Sequence, residues 1–214
     1  MEEKSQLKSN YDALCEAWRQ KSLNWDYEDR YRALNLPGYG EDILPITYYG
    51  VEYGIDRRDG RIRELAHPEK KMSFNAAMAI YHLFYYSAKQ PANSGVWVPF
   101  REVKGAAAFD PAFQARELAP FAKAFDGKLP ALKEAGTALG FTPIPNSDAG
   151  FEALAFDCMP LRFLFWDGDE EFPARANVLF DANITQFTHE ETVVLIAEDG
   201  LMRLVEAAGL SWRS

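Results

Sequence analysis

Residues 73–89, SFNAAMAIYHLFYYSAK, put apolar side chains on nearly every face of a helix. A helix with no polar face lies buried, with other elements packed against most of it. The chain must therefore supply a sheet for this segment to pack on and further helices to close over it.

The rest of the pattern supplies both. Residues 4–23 read as an amphipathic helix, with Leu7, Tyr11, Leu14, Cys15 and Trp18 recurring at three- and four-residue steps. A short second helix spans Tyr27–Leu34 and stops at NLPGYG. In ITYYGVEYGIDRRDGRIREL, β-rich residues flank Asp59-Gly60, a hairpin turn signal, which predicts antiparallel strands over 46–56 and 61–65. VWVPF (96–100) reads as a strand. Helices follow over 111–125 and 129–139, with Gly127 and Gly140 just past their ends. FEALAFDCMPLRFLFW (151–166) is strand interrupted by Pro160, hence two strands or one bulged edge strand. ANVLFD (176–181) is another strand. The last helix spans 189–208, and Thr188 with Glu191 forms a capping box at its start. The fold class is α+β: the hairpin, 96–100 and 151–181 form one antiparallel sheet, 73–89 is the central helix on it, and the last helix closes the core.

Composition bounds the function. The 214 residues are 48% hydrophobic, enough for a sizeable core. A net charge of −9 repels phosphate backbones and argues against nucleic acid as a partner. The basic group Arg57, Arg58, Arg61 and Arg63 sits beside the hairpin turn and is too small to reverse this. No window approaches the roughly 18 uninterrupted apolar residues of a membrane span, and the polar N-terminus has no signal-peptide core, so a cytoplasmic protein is expected. The two cysteines, Cys15 in a helix and Cys158 in a strand, cannot alone hold an iron–sulfur cluster, and they read as half-buried thiols.

Two stretches, GVWVPFREVKGAAAFDPAF and PLRFLFWDGDEEFPARANVLFDANITQFTHEET, resemble the signature regions of the DUF3786 family, prokaryotic proteins without an assigned function. The hairpin and the IYHLFYY helix match the family in order. The resemblance covers residues 45–205, and FDANITQFTHEE is its most specific part. On this reading residues 1–40 are an N-terminal helical extension and 41–214 a single α+β domain of the DUF3786 type. Similarity to the family implies a link to anaerobic corrinoid and methyl-transfer chemistry, because some members carry a cysteine-rich iron–sulfur domain ahead of this region. Here a helix with one cysteine takes that place, so any cluster would come from a corrinoid or iron–sulfur partner protein. The family carries over no catalytic residue.

Three places could carry chemistry. Asp167, Asp169 and Glu171 alternate like calcium-loop ligands, but the glycine and glutamate such a loop needs are replaced by Phe172 and Val178. A looser divalent-cation site on these three remains open. So does acid–base work by Asp169, Glu170 or Glu171, if Phe165, Trp166 and Phe172 desolvate one of them. An aromatic-rimmed docking loop and a solvated turn are the other readings, and the Asp167-Gly168 turn signal favours the last. His82, alone on an apolar helix, could be an axial ligand to haem or a corrinoid, although such a histidine is more often a satisfied core residue. Arg101 could grip a carboxylate or phosphate, or pair with Glu102 or with the 167–171 acids. His67 and His189 complete no metal motif, and phosphate-loop and nucleophile-elbow patterns are absent.

The expected function is a non-catalytic cofactor- or protein-binding accessory module for anaerobic corrinoid or iron–sulfur metabolism. The alternative is a small hydrolase or lyase using the 167–171 acids with Arg101 and a divalent cation. A purely structural interaction protein is the third class.

Overall fold

In the computed structural model, which describes residues 2–211 and the side chains of residues 10–211, Gly60 adopts a φ of +71°. Asp59-Gly60 turns the chain between β2 (Val51–Asp56) and β3 (Ile62–Glu64), as the dipeptide predicts. The expected strand over 46–56 is itself a hairpin. β1 (Ile43–Tyr48) pairs with β2 antiparallel, with Tyr48 opposite Val51. Between them Tyr49 and Gly50 have φ of 47° and 74°, the double positive φ of a two-residue type I′ turn. A tyrosine there is uncommon. It is held by its own contacts: it is buried, its amide donates to Ala155 O at 2.9 Å, and its hydroxyl donates to Ile196 O at 2.8 Å.

The second sheet joins β4 (Trp97–Pro99), β5 (Thr142–Pro143), β6 (Ala149–Phe156), β7 (Met159–Trp166) and β8 (Arg175–Asp181) in the order β4-β8-β7-β6-β5, antiparallel throughout. The single sheet expected from the pattern is thus two. The first hairpin is too tightly closed to extend the larger ladder, and the sheets meet through the Tyr49–Ala155 bond. Ala155 is available for it because the β6–β7 register slips between Leu154 and Phe156, leaving Ala155 outside the ladder. The break in 151–166 falls at Asp157-Cys158, so Cys158 lies in a turn and not in a strand. Pro160 pairs with Leu154 just before Leu161, the first β7 residue joined to β8, so its missing N–H falls outside that ladder.

Helices cover this frame. α1 (Glu2–Ser22) and α2 (Tyr27–Ala33) open the chain, and α3 (Phe74–Tyr86) is buried from Ala76 to Tyr81 and again at Leu83 and Phe84. α3 touches α1, β1 and α7 (Glu190–Ala207), the central position its composition requires. Trp18, Tyr27 and Tyr31 of the first two helices belong to the same apolar cluster as the sheets. Of the α1 stripe, the side chain of Leu7 lies outside the described residues. The helix expected over 111–125 is α4 (Asp110–Phe113), one π-helical turn (Gln114–Leu118) and α5 (Ala119–Phe125); α6 (Leu129–Ala138) follows. Gly127 and Gly140 both take a φ of +69° past their helices.

α7 starts one residue later than the capping-box reading places it. Its N-cap is His189, whose Nδ1 accepts from the Glu191 amide at 3.3 Å. The Thr188 hydroxyl is buried and makes no hydrogen bond among the described residues. Gly200 in mid-helix is required by proximity: a Cβ there would stand 2.3 Å from Phe163 and 2.7 Å from the Tyr49 hydroxyl. No described helix is long and apolar enough to cross a membrane.

Candidate functional site

The 167–171 stretch is a turn after β7, organised by its own backbone. Asp167 is half-buried and accepts from Gly127 N at 2.8 Å, which ties the turn to the end of α5. Asp169 accepts from the amides of Phe172 and Glu171 at 2.7 and 2.8 Å, and these bonds lower its pKa. Asp169, Glu170 and Glu171 are exposed, and Phe172 beside them is 64% exposed, so it desolvates none of them. Among the described residues no three carboxylate, imidazole or thiol groups gather to hold a metal ion, Asp167, Asp169 and Glu171 included. The ion pair recorded for Arg101 is to Glu102, exposed and loose at 3.7 Å.

His82 faces α7. One ring nitrogen, Nδ1, shares a hydrogen bond with the Thr192 hydroxyl, and Nε2 is buried with no hydrogen-bond partner among the described residues. Trp18 packs edge-on at 4.4 Å between ring centroids, and Tyr86 at 5.1 Å. Burial, then the nearby His189 and Lys21, pushes the imidazole pKa down to about 4, so the ring is neutral. Coordinating a haem or corrinoid metal would require the packing around Nε2 to open.

The same helix pair carries a second polar contact, unforeseen in sequence. Seven residues before His82, Asn75 donates to Asp199 at 3.1 Å and to Glu198 at 3.2 Å. Asp199 lies seven residues after Thr192, so one antiparallel helix interface is pinned two turns apart. The Tyr48 hydroxyl also donates to Asp199, at 2.9 Å. Asp199 is 4% exposed, and burial pushes its pKa up to about 6 against the opposing hydrogen bonds from Tyr48 and Asn75. The signal was present: an Asp-Gly pair inside an apolar helix needs a local reason.

The FDANITQF segment is explained structurally. Asp181, 2% exposed, accepts from Ser94 N, Ser94 Oγ and Gly95 N of the 87–96 loop and from Asn183 N, at 2.7–2.9 Å. Asn183 donates to Ala92 O, and Gln186 accepts from Ala92 N. The segment clamps a loop.

A concavity lined by both apolar and charged side chains lies elsewhere, under α1. It is a cleft of about 450 Å³, within the usual range for small-molecule sites. One face of α1, the β3 strand, the 68–72 loop and α3 enclose it. Its floor is apolar: Ile62, Met72, Ala77, Tyr81 and the half-buried Cys15. Tyr11 and Phe74, with ring centroids 4.5 Å apart, form one wall. Arg19, Arg61, Arg63, Lys70 and Lys71 also line it, against the carboxylates of Asp12 and Glu16. Arg19 is held by Glu16 at 2.5 Å, Lys71 by Asp12 at 3.0 Å and Lys70 by Glu64 at 3.3 Å, so Arg61 and Arg63, whose contacts are 3.6 Å or longer, are the loosely paired cations of the lining. Burial raises the pKa of both Cys15 and Tyr81, so the titratable floor groups stay protonated. The Tyr81 hydroxyl is engaged with Gly60 O at 2.8 Å. The cleft therefore offers cations, their partner carboxylates and apolar surface, with its cysteine and tyrosine protonated. The cleft is not legible in the sequence because its charges come from three separate segments, 12–19, 61–63 and 70–71.

Fold and cleft together define a two-sheet α+β protein with a charge-lined, apolar-floored cleft beside β3. Residues 26–202 match the family model described as a domain of unknown function, DUF3786, and the chain belongs to that family. The match takes in α2 and both sheets, whereas the α1 side of the cleft precedes it. Neither the curated proteins nor the solved structures include a match.

Proposed function

We propose that this chain is a non-catalytic, cytoplasmic binding module that works with a corrinoid or iron–sulfur protein of anaerobic metabolism. The observation that carries the binding part is the cleft, which joins an apolar floor to two loosely paired arginines, Arg61 and Arg63, while its floor cysteine and tyrosine are held neutral. The metabolic setting rests on the family resemblance. Binding is favoured over hydrolase or lyase chemistry because Asp169, Glu170, Glu171 and Arg101 all face solvent, whereas catalytic groups are gathered in a concave, water-excluding site.

The test is anaerobic purification with an absorption spectrum and metal analysis, followed by titration with cobalamin and with haem. Spectral changes that are lost in the double variant Arg61→Gln/Arg63→Gln support a macrocycle held at the cleft. A colourless protein that leaves both spectra unchanged rules out direct macrocycle binding and leaves the module with a partner protein's cofactor at most.

A further inference from the structure

Resting on the cleft as the binding site, we propose that its ligand is an oxyanion, a carboxylate or phosphoryl group, on a flat apolar body, and that Asp59 holds the anion's place until the ligand arrives. Two guanidinium groups face the carboxylate of this one residue, and a third, Arg19, already held by Glu16 at 2.5 and 2.7 Å, reaches its backbone. Arg61 Nη1 and Arg63 Nη2 stand 3.6 and 3.8 Å from Asp59 Oδ2, and Arg19 donates to the Asp59 backbone oxygen. All three arginines line the cleft.

The Asp59 pairs are loose. A charge-assisted N–H···O bond runs about 2.7–2.9 Å, so at 3.6–3.8 Å the carboxylate satisfies neither guanidinium fork. Its other oxygen, Oδ1, is engaged at 2.9 Å by the Arg61 amide within the turn, which holds the carboxylate back from the arginine side chains. Arg63 shares a further distant contact, 3.9 Å to Asp56, which is itself already gripped by Arg58. Exposed ion pairs of this kind contribute little, because water and salt screen them. A ligand oxyanion that reaches Arg61 and Arg63 with two-pronged geometry therefore replaces weak contacts with stronger ones. Arg61 precedes β3 and Arg63 lies within it, and both guanidinium groups reach the same Asp59 oxygen, which puts them on one side. The Tyr11–Phe74 wall and the Met72–Tyr81 floor take the apolar body. A bare inorganic ion would leave that surface unused.

The probes are anilinonaphthalene sulfonate, an aromatic anion that fluoresces when bound, and its uncharged counterpart phenylnaphthylamine. Asp59→Asn keeps an Oδ1 acceptor for the Arg61 amide and an Asn-Gly turn, but removes the competing charge; intact mass must exclude deamidation. It is expected to tighten the anionic probe about two- to fivefold, the value of one exposed pair. Arg61→Gln/Arg63→Gln, at two solvent-facing positions, is expected to weaken it about tenfold with an unchanged melting temperature. Inorganic phosphate and benzoate serve as displacing ligands, and whichever displaces the probe at lower concentration identifies the oxyanion. Unchanged affinity of the anionic probe in both variants overturns the inference. If the neutral and anionic probes bind alike in every variant, the oxyanion assignment fails while the binding cleft stands. If neither probe binds the native chain, both fail.

Discussion

Asp199→Asn tests the polar pin between α3 and α7 through its pH dependence. Burial lifts the Asp199 pKa from the ordinary 3.8 to about 6. A rise of about two in pKa corresponds to about 3 kcal/mol. Below pH 3.8 the carboxyl is protonated in folded and unfolded chains alike, and the contribution is fully present. As the pH climbs towards 6, only the folded chain retains the proton, so stability falls, and above that the loss is complete. His82 works in the opposite sense: its pKa is pushed down from 6.5 to about 4, so its share of stability grows as the pH rises through that window. The native protein should therefore show a nearly flat profile between about pH 4 and pH 6, two slopes cancelling. Asn at 199 removes one slope. The amide of Asn75 must turn over to face the new side chain, a constant offset of about 1 kcal/mol that leaves the slope untouched. Urea melts from about pH 3.5 to about pH 7 should show the variant gaining up to about 3 kcal/mol on the native protein, with a profile that rises with pH. A difference that stays constant across this range would refute the reasoning.

Gly200→Ala, which should favour a helix on propensity alone, is expected to cost about 1–3 kcal/mol in urea melts, because its Cβ meets Phe163 at 2.3 Å and the Tyr49 hydroxyl at 2.7 Å. Asp181→Ala leaves the amides of Ser94, Gly95 and Asn183 without their acceptor. It should lose about 3 kcal/mol and speed amide exchange in the 87–96 loop well before the sheet exchanges. Replacing Asp169, Glu170 and Glu171 together with Asn, Gln and Gln should shift stability by no more than about 0.5 kcal/mol per position, checked by thermal melting, since the Asp169 acceptor survives as Asn and the other two carboxylates face water.

Local signals with a steric cause were legible in the sequence. Asp59-Gly60, Gly127 and Gly140 each mark a place where the backbone needs a positive φ, and each takes one. The central burial of α3 followed from a helix with no polar face. Tyr49-Gly50 was hidden because tyrosine favours strands and rarely accepts φ above zero; contacts with Ala155 and Ile196, more than a hundred residues away, make the exception stable. The split into two sheets follows from that turn and was hidden with it. The 167–171 acids stand out in one dimension yet are spent on a solvated turn. Arg61 and Arg63 read as surface charge until α1 and α3 bring Arg19, Tyr11 and Phe74 to face them. Asp199 gave a quieter signal, a seven-residue spacing shared with Asn75 and His82, whose meaning depends on knowing that the two helices pair.

The most direct test of the central claim is an amide NMR titration of the full chain with anilinonaphthalene sulfonate. The cleft account predicts shift changes gathered on residues 11–19, 61–63 and 70–81, the segments that enclose it, and their loss in Arg61→Gln/Arg63→Gln. Shifts centred on the 167–171 turn, or on Arg101 and its neighbours, with those three segments unmoved, would contradict it.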